Sequence, residues 1–131
     1  MKPIHISGTR KKSVARVTLR EGTGIVKFNR MSLDTISSKY LKLKLQEPLI
    51  IAGDVATKVD IDINAFGGGS NSQAEAARLA IARALALFDR KLESQFSAYD
   101  RHLLIADVRQ RETHKPNRQG NARAKRQKSY R

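Results

Sequence analysis

Residues 13–20 alternate strictly between two faces. Val14, Arg16, Thr18 and Arg20 fall on one side of an extended chain, and Ala15, Val17 and Leu19 on the other. Period-two patterning with β-branched residues predicts a strand. The Glu-Gly-Thr-Gly turn at 21–24 and the short run 25–28 predict a second strand, paired with the first as a hairpin. Ser32 or Asp34 suits the cap of a helical turn over 33–36. Residues 39–46 read both ways, because Leu41, Leu43 and Leu45 alternate with Lys42 and Lys44, yet Leu and Lys are also good helix formers. Pro48 suits the first position of a short helix over 48–52, ended by Gly53. The next strand is the clearest: Val59, Ile61 and Ile63 oppose Lys58, Asp60, Asp62 and Asn64.

The period then changes from two to 3.6. Ala74, Ala77, Ile81, Ala84 and Phe88 form an apolar stripe at alternating three- and four-residue steps, the longest helix signal in the chain. Ser72 and Glu75 have capping-box spacing at its start, and its many alanines allow close approach to a sheet. Leu92 and Phe96 predict a further helix over 90–98, and 103–105 a last short strand. The element order implies an α/β (α+β) body of two layers, with no internal repeat.

Charge divides this chain more sharply than hydropathy does. Its 131 residues carry 26 Lys and Arg against 12 Asp and Glu, a net charge of +14. Residues 1–30 hold eight bases and one acid, 31–108 nine bases and ten acids, and 109–131 nine bases and one acid. The middle is therefore an electrically ordinary body, 1–108 in all with its basic first strand, and 109–131 is a basic tail. Single-sign blocks at both ends read as interaction arms for a polyanion, since solvated surfaces interleave both signs. Beyond Arg109 the only apolar residues are Ala122, Ala124 and Tyr130, too few to offset folding entropy. The tail is expected to order only against an anion, and the chain from Pro116 onward could reach about 50 Å when extended.

Other chemistry is sparse. Without cysteine there are no disulfides or thiolate metal sites. No apolar run approaches the ~20 residues of a membrane span, and the start MKPIHISGTR lacks a secretory pattern, so a soluble intracellular protein without membrane partners is expected. His5, His102 and His114 lack metal-ligand spacing. Asp100 with His102 reads as local hydrogen bonding at a helix end, and Asp60 with Asp62 as a solvent-facing strand edge. Neither pair comes with a nucleophile motif, and no enzyme or cofactor is expected.

The triple glycine Gly67, Gly68 and Gly69 admits two readings, an RNA phosphate seat before a helix N-terminus or a plain strand-to-helix turn. It lacks the P-loop's lysine. Arg10, Lys11 and Lys12 precede the first predicted strand, and Arg16 and Arg20 share one of its faces, a stripe suited to backbone phosphates. Aromatic residues are too few for base stacking by a sheet, at 5% with no Trp.

Four segments, GTRKKSVARV, EPLIIAGD, GGGSNSQAEAARLAIARAL and GNARAKRQKSYR, occur in this order. They resemble the universal small-subunit ribosomal protein S-nine family over nearly the whole chain. Gly67, Gly68, Gly69, Gln73, Ala74, Ala77, Arg83, Ala84 and Leu85 carry its glycine-and-helix signature. The ending Gln127-Lys128-Ser129-Tyr130-Arg131 resembles the archaeal and eukaryotic branch, with Tyr130 where bacterial members carry Lys. The resemblance implies a body like the second domain of ribosomal protein S-five and a structural role in translation. It also implies a place in the head of the small subunit of cytoplasmic ribosomes, as a single copy bound to small-subunit rRNA among neighbouring head proteins. The rRNA-binding candidates are then Arg10, Lys11, Lys12, Arg16, Arg20 and the three glycines, with Arg109, Arg111, Lys115, Arg118, Arg123, Lys125, Arg126 and Lys128 in the tail. The tail tip, Ser129, Tyr130 and Arg131, is expected beside P-site tRNA.

Overall fold

Alternating strands become a sheet here through pairings that span long stretches of chain. The computed structural model describes residues 2–117 and 122. Five strands, β1 (Ile4–Arg10), β2 (Ser13–Glu21), β3 (Val26–Phe28), β4 (Met31–Ser32) and β5 (Val59–Phe66), form one mixed sheet in the order β1-β2-β5-β3-β4. Three helices, α1 (Lys39–Ala52), α2 (Ser70–Phe88) and α3 (Lys91–Tyr99), pack on one side of it. This is the two-layer α+β body expected from the element order.

The core follows the two strands read most clearly. Ala15, Val17 and Leu19 of β2 lie beside Val59, Ile61 and Ile63 of β5, all at most 1% exposed. Their partners on α2 are mainly alanines, with Ile81 and Leu85 as the bulky members. Small side chains let the helix come close, and Gly8 of β1 shows how close. A Cβ there would collide with the Ala76 carbonyl oxygen and lie 2.9 Å from the Ala80 nitrogen. The helix is buried well beyond the predicted stripe, with Ala76, Leu79, Ala80 and Ala82 enclosed too. Leu92 and Phe96 of α3 close the core as their spacing predicted.

Several expectations are corrected. β2 and β3 do not form a hairpin, because β5 lies between them, antiparallel to β2 and parallel to β3. The turn at 21–24 exists, but it crosses the start of β5. The Asp60 carboxylate accepts from the amides of Thr23 at 3.0 Å and Ile25 at 3.1 Å, and Gly22 donates to the Lys58 carbonyl at 2.9 Å. Those amide bonds hold the Asp60 carboxyl below its ordinary pKa. β5 is thus an interior strand of the sheet, and Asp60 and Asp62 do not mark an edge.

Residues 39–46 are helical, and α1 runs through Pro48 to Ala52. Leu41, Leu45, Pro48 and Ala52 turn inward at helical steps, leaving Leu43 61% exposed. Pro48 is inside the helix instead of at its start, while Gly53 ends it at φ 60° as expected. The turn at Leu33–Thr35 is a 3-10 turn with Ser32 as its N-cap residue. The capping box is absent: α2 starts after Gly69 without a side-chain cap, and Glu75 is engaged by Arg10 and Tyr40. Residues 103–105 form no strand. A 3-10 turn over Arg101–Leu103 replaces it, with the Asp100 side chain accepting from the His102 amide at 3.0 Å, the local hydrogen bonding expected of that pair.

Candidate nucleic-acid interface

Two basic regions about a hundred residues apart in the chain meet at the start of α2. Arg10 ends β1, and Lys11 and Lys12 make the tight turn into β2, with Lys11 at φ 55°. These residues therefore belong to a hairpin instead of leading into a first strand. Behind the turn sits the glycine segment. Gly67 (φ 77°) and Gly68 (φ 55°) need conformations that L side chains rarely adopt. A Cβ on Gly67 would lie 2.6 Å from the Lys12 carbonyl oxygen, and one on Gly68 would strike the Ser13 hydroxyl. The Gly67 carbonyl accepts two side-chain bonds, from Ser13 Oγ at 2.9 Å and from Gln73 Nε2 at 3.0 Å. These contacts lock the glycine turn to the β1–β2 hairpin.

The outcome is an open cavity of about 740 Å³ lined by Arg10, Lys11, Lys12, Gly68, Gly69, Ser72, Arg109, Gln110 and Arg111. Gly69 has open space where a Cβ would stand, and α2 begins at the next residue. Cations from both ends of the chain and the side-chain-uncapped start of α2 suit the oxygens of a backbone phosphate. Gly67 is held in a strand-to-helix turn, and Gly68 and Gly69 also line the groove. Gln110 carries no charge or motif signal, and Ser72 reads in the sequence only as a helix cap, so neither stands out there as a groove residue.

The cations differ in freedom. The Arg10 side chain is 14% exposed and pairs with Glu75 at 2.8 Å and Asp107 at 3.6 Å. Its Nη1 is the one buried side-chain polar atom without a hydrogen-bond partner among the described residues. Lys11, Lys12 and Arg111 are exposed, and so is Arg109, which grips the Asp107 carboxylate. Hydrogen bonds from Arg109, helped by the charge of Arg10, hold the Asp107 carboxyl far below the usual carboxylate range.

Other predicted site residues are elsewhere. Arg16 and Arg20 share the solvent-facing side of β2, as their spacing implied, but outside the groove. Arg16 lies over the Phe66 ring at 5.5 Å, and Arg20 is paired in register with Asp60. Lys115 is exposed beyond the groove lining. Arg118, Arg123, Lys125, Arg126, Lys128, Ser129, Tyr130 and Arg131, and with them most of the predicted tail, lie outside the described residues. Among the described residues no group of three or more His, Asp or Glu could hold a metal ion, and no helix is long and apolar enough to cross a membrane.

A family model described as ribosomal protein S9/S16 matches residues 8–131. The chain belongs to that family. Small ribosomal subunit protein uS9 of Methanococcus maripaludis strain C7 is 44% identical to it over the full length of both chains. The uS9 protein of Methanococcus vannielii is 43% identical, again end to end. Both are archaeal, in keeping with the resemblance of the Lys-Ser-Tyr-Arg ending. Members of the S9/S16 family are ribosomal structural proteins and not enzymes.

Proposed function

We propose that the groove between Lys11, Lys12, Gly68, Gly69, Arg109 and Arg111 seats this protein on phosphates of small-subunit rRNA, and that residues 109–131 carry the tip Ser129, Tyr130 and Arg131 toward P-site tRNA. Its family role is that of a structural constituent of the small ribosomal subunit, acting in translation in the cytoplasm and associated with rRNA. The observation that carries the finer reading is the convergence of both basic ends on one helix start. Arg16 and Arg20 add a second, weaker phosphate-facing surface on the open side of the sheet, and Lys115 with Arg118, Arg123, Lys125, Arg126 and Lys128 extends the charge along the tail. The protein's contribution is positional, with no bond made or broken.

Titration of small-subunit rRNA with the full chain at graded salt tests the first half. Affinity should fall on log–log axes with a slope near −0.7 to −0.9 for each phosphate neutralised; affinity independent of salt would refute phosphate seating. Deleting residues 129–131 tests the second half. Subunits should assemble normally and hold P-site tRNA less tightly, whereas an equal loss of assembly would make the tip a structural element of the subunit.

A further inference from the structure

β1 is the outermost strand of the sheet, and one long side of it has no strand partner. Residues 104–111 run beside it, held by side chains at three places. Arg83 of α2 bridges the two, donating to the Leu104 carbonyl at 3.0 Å and to the Ser7 carbonyl at 3.4 Å. Asp107 meets Arg10 at 3.6 Å, and Gln110 Nε2 donates to the Lys11 carbonyl at 3.3 Å. Among the described residues no backbone–backbone hydrogen bond ties 106–111 to β1.

Asp107 is the ion-paired one among these ties, set between Arg10 of β1 at 3.6 Å and Arg109 of its own segment. Its side chain is only 13% exposed, although Arg109 beside it is 79% exposed. One carboxylate therefore joins an arginine of the body to an arginine of the C-terminal segment, through charge-assisted bonds of 2.6–3.0 Å on the Arg109 side. An acid is an odd neighbour for a groove meant to attract phosphate, and Coulomb's law alone would count it as a loss of affinity. Its placement has another use. A long arginine side chain loses rotamer freedom when it is fixed on a partner, and a cation held in place before binding spares part of that cost when RNA arrives.

We propose that Asp107 is a positioning residue for RNA binding, a clasp that holds Arg109 and Arg111 against the Lys11–Lys12 turn so that the groove exists before RNA enters it. This rests on the phosphate-seating reading above. The clasp makes a prediction opposite in sign to simple electrostatics, because Asp107→Asn raises the net charge one unit above +14.

The test is equilibrium binding of the full chain to small-subunit rRNA at physiological salt, for the parent, Asp107→Asn and Asp107→Glu. The clasp predicts that Asp107→Asn binds about three- to tenfold more weakly with an unchanged melting temperature, and that Asp107→Glu recovers most of the loss. Equal or tighter binding by Asp107→Asn, beside a parent that binds normally, overturns the clasp. A parent that fails to bind overturns the phosphate seating itself. A second measurement needs no RNA. The chain has no cysteine of its own, so Ser97→Cys with Thr113→Cys accepts one spin-label pair. Its distance distribution should be narrow in the parent and broad in Asp107→Asn, and equal widths would overturn the clasp.

Discussion

The Lys11–Lys12 groove and the Arg16–Arg20 face are both basic, both exposed and only a few residues apart, yet their surroundings differ. On the sheet face each arginine has a neighbour from β5, Phe66 beneath Arg16 and Asp60 opposite Arg20. Asp62 stands opposite Thr18 between them, so the face alternates in sign and its field is local. In the groove, cations arrive from both ends of the chain and reinforce one another. A row of arginines on a strand is thus a weaker sign of phosphate binding than its spacing suggests, because the adjacent strand supplies half of every pair on the surface. What counts is the sign of the charges brought in from elsewhere.

The comparison can be tested from its strongest point downward. Replacing Lys11 and Lys12 together by alanine should lower rRNA affinity on the order of 10- to 100-fold and reduce the salt slope by nearly two, measured by filter binding across a salt series. Replacing Arg16 and Arg20 together should cost at most about threefold in the same assay, since Arg16 lies over the Phe66 ring and Arg20 stands in register with the acidic Asp60. If the two double variants lose affinity equally, the distinction between groove and face is wrong. The scaffold beneath the groove separates two neighbouring glycines. Gly68→Ala should cost about 1–3 kcal/mol in chemical unfolding, from its positive φ and the collision with Ser13. Gly69→Ala, with nothing near its new methyl group, should stay within about 0.5 kcal/mol of the parent. Similar losses at both would mean that the turn tolerates side chains better than its geometry allows.

Much of the body was legible because the signals were local. β2 and β5 follow from strict alternation and α2 from its 3.6-residue stripe. β1 went unseen because Gly8, at an inward position, has no side chain to register in a hydropathy pattern; only the nearness of Ala76 and Ala80 explains it. Residues 39–46 were ambiguous because Leu41, Leu43 and Leu45 satisfy two periods at once. Packing against α2 decided between them, taking Leu45 inward and leaving Leu43 to solvent. The hairpin expected of β2 and β3 failed because turn chemistry reports a change of direction and not which strand receives the chain next. In the site, Lys11, Lys12, Gly68, Gly69, Arg109 and Arg111 all stand out in the sequence through charge blocks or the glycine run. Asp107 does not, since by sequence it is one of the ten acids that neutralise the middle of the chain.

By itself the sequence determined the family, the two-layer class, and the concentration of positive charge at the two ends of the chain. These depend on residue identities and short spacings, which survive any arrangement in space. Tertiary structure alone decided which cations act together. Arg10 and Lys11 are adjacent and alike in charge, but one points into a half-enclosed pair of carboxylates and the other into open solvent. Coulombic interactions fall with distance and grow with burial, and both quantities are set by the fold.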